Sequence, residues 1–82
     1  MALVLYHSDG CHLCEQAEAL LAQAGVAFAL QEIINDEQLL QRYRERIPVL
    51  AVVDADTRDA VHELGWPFDA EQLALFLNRY AV

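Results

Sequence analysis

Lysine is absent from this 82-residue chain, and five arginines face thirteen aspartates and glutamates, for a formal net charge of −8. So acidic a surface repels a phosphate backbone, and nucleic acid is not an expected partner. No apolar run approaches the ~18 residues that mark a membrane span. The opening run, Ala2 to Tyr6, has no basic flank, no long apolar region and no small-residue cleavage site. Neither a membrane partner nor a secretory leader is expected, and a cytoplasmic location follows. Cysteine is scarce as well: there are two, Cys11 and Cys14. A disulfide stabilises mainly by closing a long loop, so a bridge this short is a poor staple, and stability must come from packing. Nor does a second Cys or His pair follow Cys14, so a four-ligand zinc site stays incomplete even with His7 or His12 as a third donor.

What is present is a chain of 56% hydrophobic residues without repeats or linkers. That suits one domain, residues 1–82, with a single modest core. ALVLYH, Ala2 to His7, reads as a short buried strand closed by Ser8, Asp9 and Gly10. From Cys11 the period changes: Leu13, Ala17, Leu20, Leu21 and Ala24 recur at helical spacing, and Gly25 ends the pattern. Val26 to Ile34 is a second strand candidate. Asn35 with Gln38 has the form of a capping box opening a short helix with Leu39, Leu40 and Tyr43 on its apolar stripe. Val49 to Val53 is a third strand after Ile47-Pro48, and a polar turn, Asp54 to Asp59, leads to a fourth at Ala60 to Leu64. Asp69 with Gln72 caps a last helix carrying Leu73, Phe76, Leu77 and Tyr80. The order β-α-β-α-β-β-α implies a four-stranded mixed sheet with helices on both faces.

The chemistry concentrates at CHLC, Cys11 to Cys14. A helix beginning at Cys11 points that thiol at unpaired N–H groups and at the positive end of the macrodipole, which favours thiolate over thiol. Helix N-termini and CxxC pairing lower a cysteine pKa from about 8.5 by one to several units. Cys11 is therefore the candidate nucleophile. Cys14, one turn on, is the candidate resolving thiol, in an exchange that needs no cofactor. His12 between them modulates the thiolate if protonated, or else is a solvated first-turn residue. Two other readings stay open: Cys14 as a small buried hydrophobe, and metal or iron–sulfur binding with the cysteines as ligands. Trp66 and Phe68 serve either core packing or an apolar rim. Acidity this strong serves solubility first; it also repels anionic thiols and favours a basic protein patch.

LYHSDGCHLC and RIPVL, taken together, resemble the strand–turn–dithiol element and the proline segment of the thioredoxin superfamily. The chain is similar, over nearly its whole length, to a small bacterial glutaredoxin-like family. That resemblance implies a thioredoxin-like α/β fold and thiol–disulfide oxidoreductase activity, with Cys11 and Cys14 as the catalytic pair. It also implies a cis proline at Pro48 that, with Ile47, shapes a groove for the substrate backbone. Arg46, beside Pro48, is the one basic candidate for the site, while Arg42 and Arg44 suit the end of a helix. In glutaredoxins that use glutathione, a proline and tyrosine lie inside the CxxC, a cation precedes it, and a Gly-Gly-Asp-like element precedes the last helix. Here His12-Leu13, Ser8-Asp9-Gly10 and Gly65-Trp66-Pro67-Phe68-Asp69 stand in those places. No resident cofactor is expected and no metal; glutathione stays open as a co-substrate. The expected partner is a disulfide-containing protein or a small thiol, and the expected state is a monomer. The alternative class is a protein-binding module that keeps the fold without catalysis, using the surface of Pro48, Trp66 and Phe68.

Overall fold

VLAVV is apolar without interruption, and as β3 (Val49–Val53) each of its residues is buried. A strand covered on both faces needs that composition. In a computed structural model, which describes residues 2–80, β3 pairs antiparallel with β1 (Ala2–His7) on one side and with β4 (Ala60–Gly65) on the other. β1 in turn pairs parallel with β2 (Ala29–Glu32), giving the order β2-β1-β3-β4. Three helices complete the fold: α1 (His12–Gln23), α2 (Glu37–Tyr43) and α3 (Ala70–Tyr80).

Side chains alternate across a strand, so the sheet separates two cores. Leu5, Leu50 and Val52 face Ala17 and Leu21 of α1 and Leu73 and Phe76 of α3. Tyr6, Val49, Ala51 and Val53 face Tyr43 of α2 and Ile33. Full burial of a side chain such as Leu50 is worth about 1.5–3 kcal/mol, and it is spread over both layers here. β4, at the sheet edge, alternates between half-buried and exposed residues, and a bulge between Val52 and Val53 displaces its pairing.

Four local features differ from what the sequence predicts. β2 is confined to Ala29–Glu32 within the expected 26–34, the four residues that pair with Val4 to His7 of β1. The cap of α2 is Asp36, not Asn35; one Asp36 carboxylate oxygen accepts the N–H groups of Gln38 and Leu39. Leu13, expected on the core stripe of α1, is 47% exposed because Cys14, Ala17 and Leu21 set the buried face. Ala24, expected there too, is exposed and lies just past the helix. The capping box of α3 forms as written, with Asp69 and Gln72 each accepting the other's backbone N–H at 2.8 and 3.0 Å.

Register decides what the fold brings together. Tyr6 lies opposite Val49, Val49 opposite Gly65, and His7 opposite Glu32. The turn after β1, the exit of β2, the 46–48 segment and the loop after β4 therefore share one end of the sheet.

Candidate active site

At that end β1 stops at His7, and Gly10, at φ 79°, reverses the chain in a conformation that glycine adopts without strain. Cys11 follows in extended backbone as the N-cap of α1, not its first helical residue as the sequence suggested. Its Sγ accepts the N–H of Cys14 at 3.2 Å, the place an Asp or Ser oxygen usually takes. Its own N–H donates to the Ser8 carbonyl at 3.3 Å, and its carbonyl accepts from Glu15 at 3.1 Å. Both cysteines are free thiols. They differ in environment: Cys11 is half-buried, whereas Cys14 is 1% exposed. Burial, then the hydrogen bond with Cys11 and the nearness of Cys11 and Glu18, push the Cys14 thiol up to about 12, against a smaller opposing contribution from the Ser8 backbone.

His12 is 91% exposed, with Nδ1 3.4 Å from a Glu15 carboxylate oxygen. His7 points inward, 14% exposed, with Nδ1 3.9 Å from Glu32 Oε2. The sequence does not single out Glu32, yet it holds the turn before Cys11: Oε2 accepts the Asp9 N–H at 3.0 Å and Oε1 the Ile34 N–H at 3.3 Å. Donor atoms of His7, Asp9 and Glu32 lie within 4.8 Å of one another, and neither cysteine belongs to that group. No local pattern in the sequence marks a carboxylate that reaches across 23 residues.

Pro48 is fully buried and Ile47 half-buried. The Ile47–Pro48 peptide bond is cis, as is Trp66–Pro67. Ile47 N–H donates to the Tyr43 carbonyl at 3.0 Å, and the Pro48 carbonyl accepts the Trp66 N–H at 3.2 Å. Phe68 belongs to the α1–α3 core, and Trp66 packs edge-on against it at 5.1 Å between centroids. Arg46 turns to β4: its guanidinium binds Glu63 at 2.7 Å and lies 5.3 Å from the centre of the Tyr43 ring. Tyr43 donates its hydroxyl proton to the other Glu63 oxygen. Burial works against the Glu63 charge, but the hydrogen bonds from Tyr43 and Arg46 outweigh it and hold the carboxyl below its usual range. Burial first, then the bond to Glu63, raises the Tyr43 hydroxyl. A groove of about 770 Å³ on the α2 face, bordered by Tyr6, Gln38, Arg42 and Arg58, contains neither cysteine; the dithiol lies at the end of the sheet, not in that cavity.

This geometry can be set beside known proteins. The model of the family described as Glutaredoxin-like domain (DUF836) matches residues 2–78. The chain belongs to that family. The X-ray structure of target protein XcR50 from X. campestris is similar at 44% identity and a TM-score of 0.79, covering 95% of this chain and 97% of that one. Protein Ne2328 from Nitrosomonas europaea, solved by NMR, is similar at 30% identity and a TM-score of 0.71, covering 92% and 88%. Thioredoxin 1 from Thermosipho africanus, at 13% identity and a TM-score of 0.62, covers 99% and 94% and shares the fold. No functionally curated protein matches the chain. This glutaredoxin-like protein therefore has a thioredoxin fold, with its CxxC pair at the head of α1. Among the described residues, no helix is long and apolar enough to cross a membrane.

Proposed function

We propose that the protein is a thiol–disulfide oxidoreductase acting on a disulfide-bearing protein or small disulfide, as a monomer in a reducing, cytoplasmic setting. The observation that carries the reading is the asymmetry of the pair. Cys11 is half-buried and its Sγ accepts the Cys14 N–H at 3.2 Å, whereas the Cys14 thiol is buried and held protonated. An N–H donor and the positive end of a helix favour the anionic form of a sulfur, and the thiolate is the nucleophile.

The cycle balances with the protein's own groups. Cys11 thiolate attacks one sulfur of the substrate disulfide; a Cys11–substrate S–S bond forms, the substrate S–S bond breaks, and one substrate thiolate leaves. Cys14 then gives up its proton to the leaving thiolate or to water and attacks Cys11 Sγ. The Cys11–Cys14 disulfide forms and the second substrate thiol departs. The protein has lost two electrons, the substrate has gained them, and a thiol reductant restores the dithiol. Glutathione is one such thiol to be tested, and no resident cofactor takes part.

Substrate backbone meets the Ile47–Pro48 segment in this reading. Ile47 N–H is already given to Tyr43 and the Pro48 carbonyl to Trp66, so the Ile47 carbonyl is the group offered to the substrate. Arg46, engaged by Glu63, holds that segment against β4. His12, when protonated, adds positive charge near Cys11, and Glu15 competes for it. Reduction of bis(2-hydroxyethyl) disulfide by the dithiol protein tests the reading: wild type reduces it, passing to the Cys11–Cys14 disulfide, and Cys11→Ser does not. Equal activity of the two would refute it, leaving a binding module as the better account.

A further inference from the structure

At the dithiol end of the sheet the charges are mostly of one sign. Asp9 stands in the turn leading to Cys11, and Glu15 lies in the first turn of α1; both are exposed. Glu18 is close enough to act on the Cys14 thiol, and Glu32 is fastened under the turn by the Asp9 N–H. His7 and His12 each lie against one of these carboxylates, Glu32 and Glu15, and the arginines are mostly committed or remote. Arg58 sits in the β3–β4 turn at the far end of the sheet. Arg79 is in the last turn of α3, next to Tyr80, which stacks on His62 opposite Val52. Arg42 and Arg46 lie over the Tyr43 ring on the α2 face, Arg46 bound to Glu63, and Arg44 is exposed at the end of α2.

Acidic residues at helix starts also serve caps and the macrodipole, as Asp36 and Asp69 do here. Asp9 and Glu32 are not caps, so that role does not explain them. Whatever local role each acid has, an incoming disulfide feels their sum, and the chain's charge of −8 adds to it. Attack by Cys11 brings a further negative charge to the substrate. Ammonium or guanidinium groups beside the substrate sulfurs lower the electrostatic work of that approach, and carboxylates raise it.

We infer that this site takes cationic disulfides, those of a protein or peptide segment with basic residues flanking the bridge, in preference to the anionic glutathione disulfide. The inference rests on the oxidoreductase reading above. Fields of this kind change encounter rates by about 10-fold to 1000-fold, and salt screens them within about 10 Å at 0.1 M.

Three small disulfides serve as probes: cystamine, doubly positive; bis(2-hydroxyethyl) disulfide, neutral; and glutathione disulfide, negative. The rate of oxidation of the reduced protein by each is measured at pH 7 and divided by the rate of the same disulfide with 2-mercaptoethanol, which removes intrinsic reactivity. Expected is the order cystamine, hydroxyethyl disulfide, glutathione disulfide, spanning about tenfold or more at low ionic strength. The spread should contract toward unity in 0.5 M salt and narrow in the Asp9→Asn, Glu15→Gln double variant. Equal normalised rates, or a spread indifferent to salt or to the double variant, overturn the inference while a reactive neutral disulfide leaves the oxidoreductase reading standing. If none of the three reacts, both fall.

Discussion

Glu32 closes the exit of β2 and, in the same geometry, holds the turn that leads to Cys11: its Oε2 accepts the N–H of Asp9 at 3.0 Å, two residues before that cysteine. Its Oε1 takes the N–H of Ile34, so one carboxylate pins two strand exits. Replacement by alanine leaves both donors to water. Because the side chain is 23% exposed, the cost is about 1 kcal/mol, and for a domain of this size Tm should fall by about 4–8 °C. Thermal unfolding of Glu32→Ala checks this, with Glu32→Gln, which keeps an acceptor oxygen, falling by less.

The difference in environment between the two thiols has a direct chemical signature. Cys14 is buried, with its thiol pushed up to about 12, so at neutral pH almost none of it is thiolate. In the Cys11→Ser variant, iodoacetamide should modify Cys14 at least about 100-fold more slowly at pH 7 than it modifies Cys11 in Cys14→Ser. Burial is the largest cause of the Cys14 shift and survives loss of Cys11, so its rate should continue to climb well above pH 9. Alkylation followed by intact mass gives both rates.

The contact between Tyr43 and Glu63 predicts how stability depends on pH. Glu63 is held below its usual range in the fold; its contribution is present above the unfolded value near 4.3 and is lost as pH falls through the folded value. Tyr43 is raised; its contribution is present below about 10 and is lost as pH rises beyond that. Glu63→Gln should flatten the acid arm of a Tm-against-pH profile. Tyr43→Phe should flatten the alkaline arm in part, since Tyr6, also raised mainly by burial, still titrates. At pH 7, Tyr43→Phe should cost about 1.5 kcal/mol for the lost bond to a charged acceptor.

Much of this fold was legible because its signals are local. The unbroken VLAVV run marks the third strand, and the spacing of Asp69 and Gln72 marks the start of α3, both as found. Where two capping residues adjoin, as Asn35 and Asp36 do, spacing alone misplaces the cap by one position, and only the geometry shows which side-chain oxygen reaches the N–H groups. CHLC showed where the thiols lie. What stayed hidden depends on partners distant in the chain: Glu32 under Asp9, and Glu63 drawing Arg46 and Tyr43 toward β4 across 17 and 20 residues. Register creates those pairs, and neither residue type nor spacing records it.

The α3 capping box can be weighed on its own. Asp69→Ala removes the acceptor for the Gln72 N–H, and caps of this kind contribute about 1 kcal/mol. Chemical denaturation should show a lower midpoint with an unchanged slope, because the loss is one of stability and not of compactness. Alkylation of Cys11 should stay at the wild-type rate, since α3 packs on the core and not on the thiol.

The division of labour within CHLC is tested most directly by trapping the mixed disulfide. When reduced Cys14→Ser meets excess bis(2-hydroxyethyl) disulfide, intact mass with peptide mapping should show one persistent 2-mercaptoethanol adduct, on Cys11. Wild type under the same conditions should pass to the Cys11–Cys14 disulfide without accumulating it. No adduct on Cys11, or an adduct that persists equally in wild type, would contradict the assignment of attack to Cys11 and resolution to Cys14.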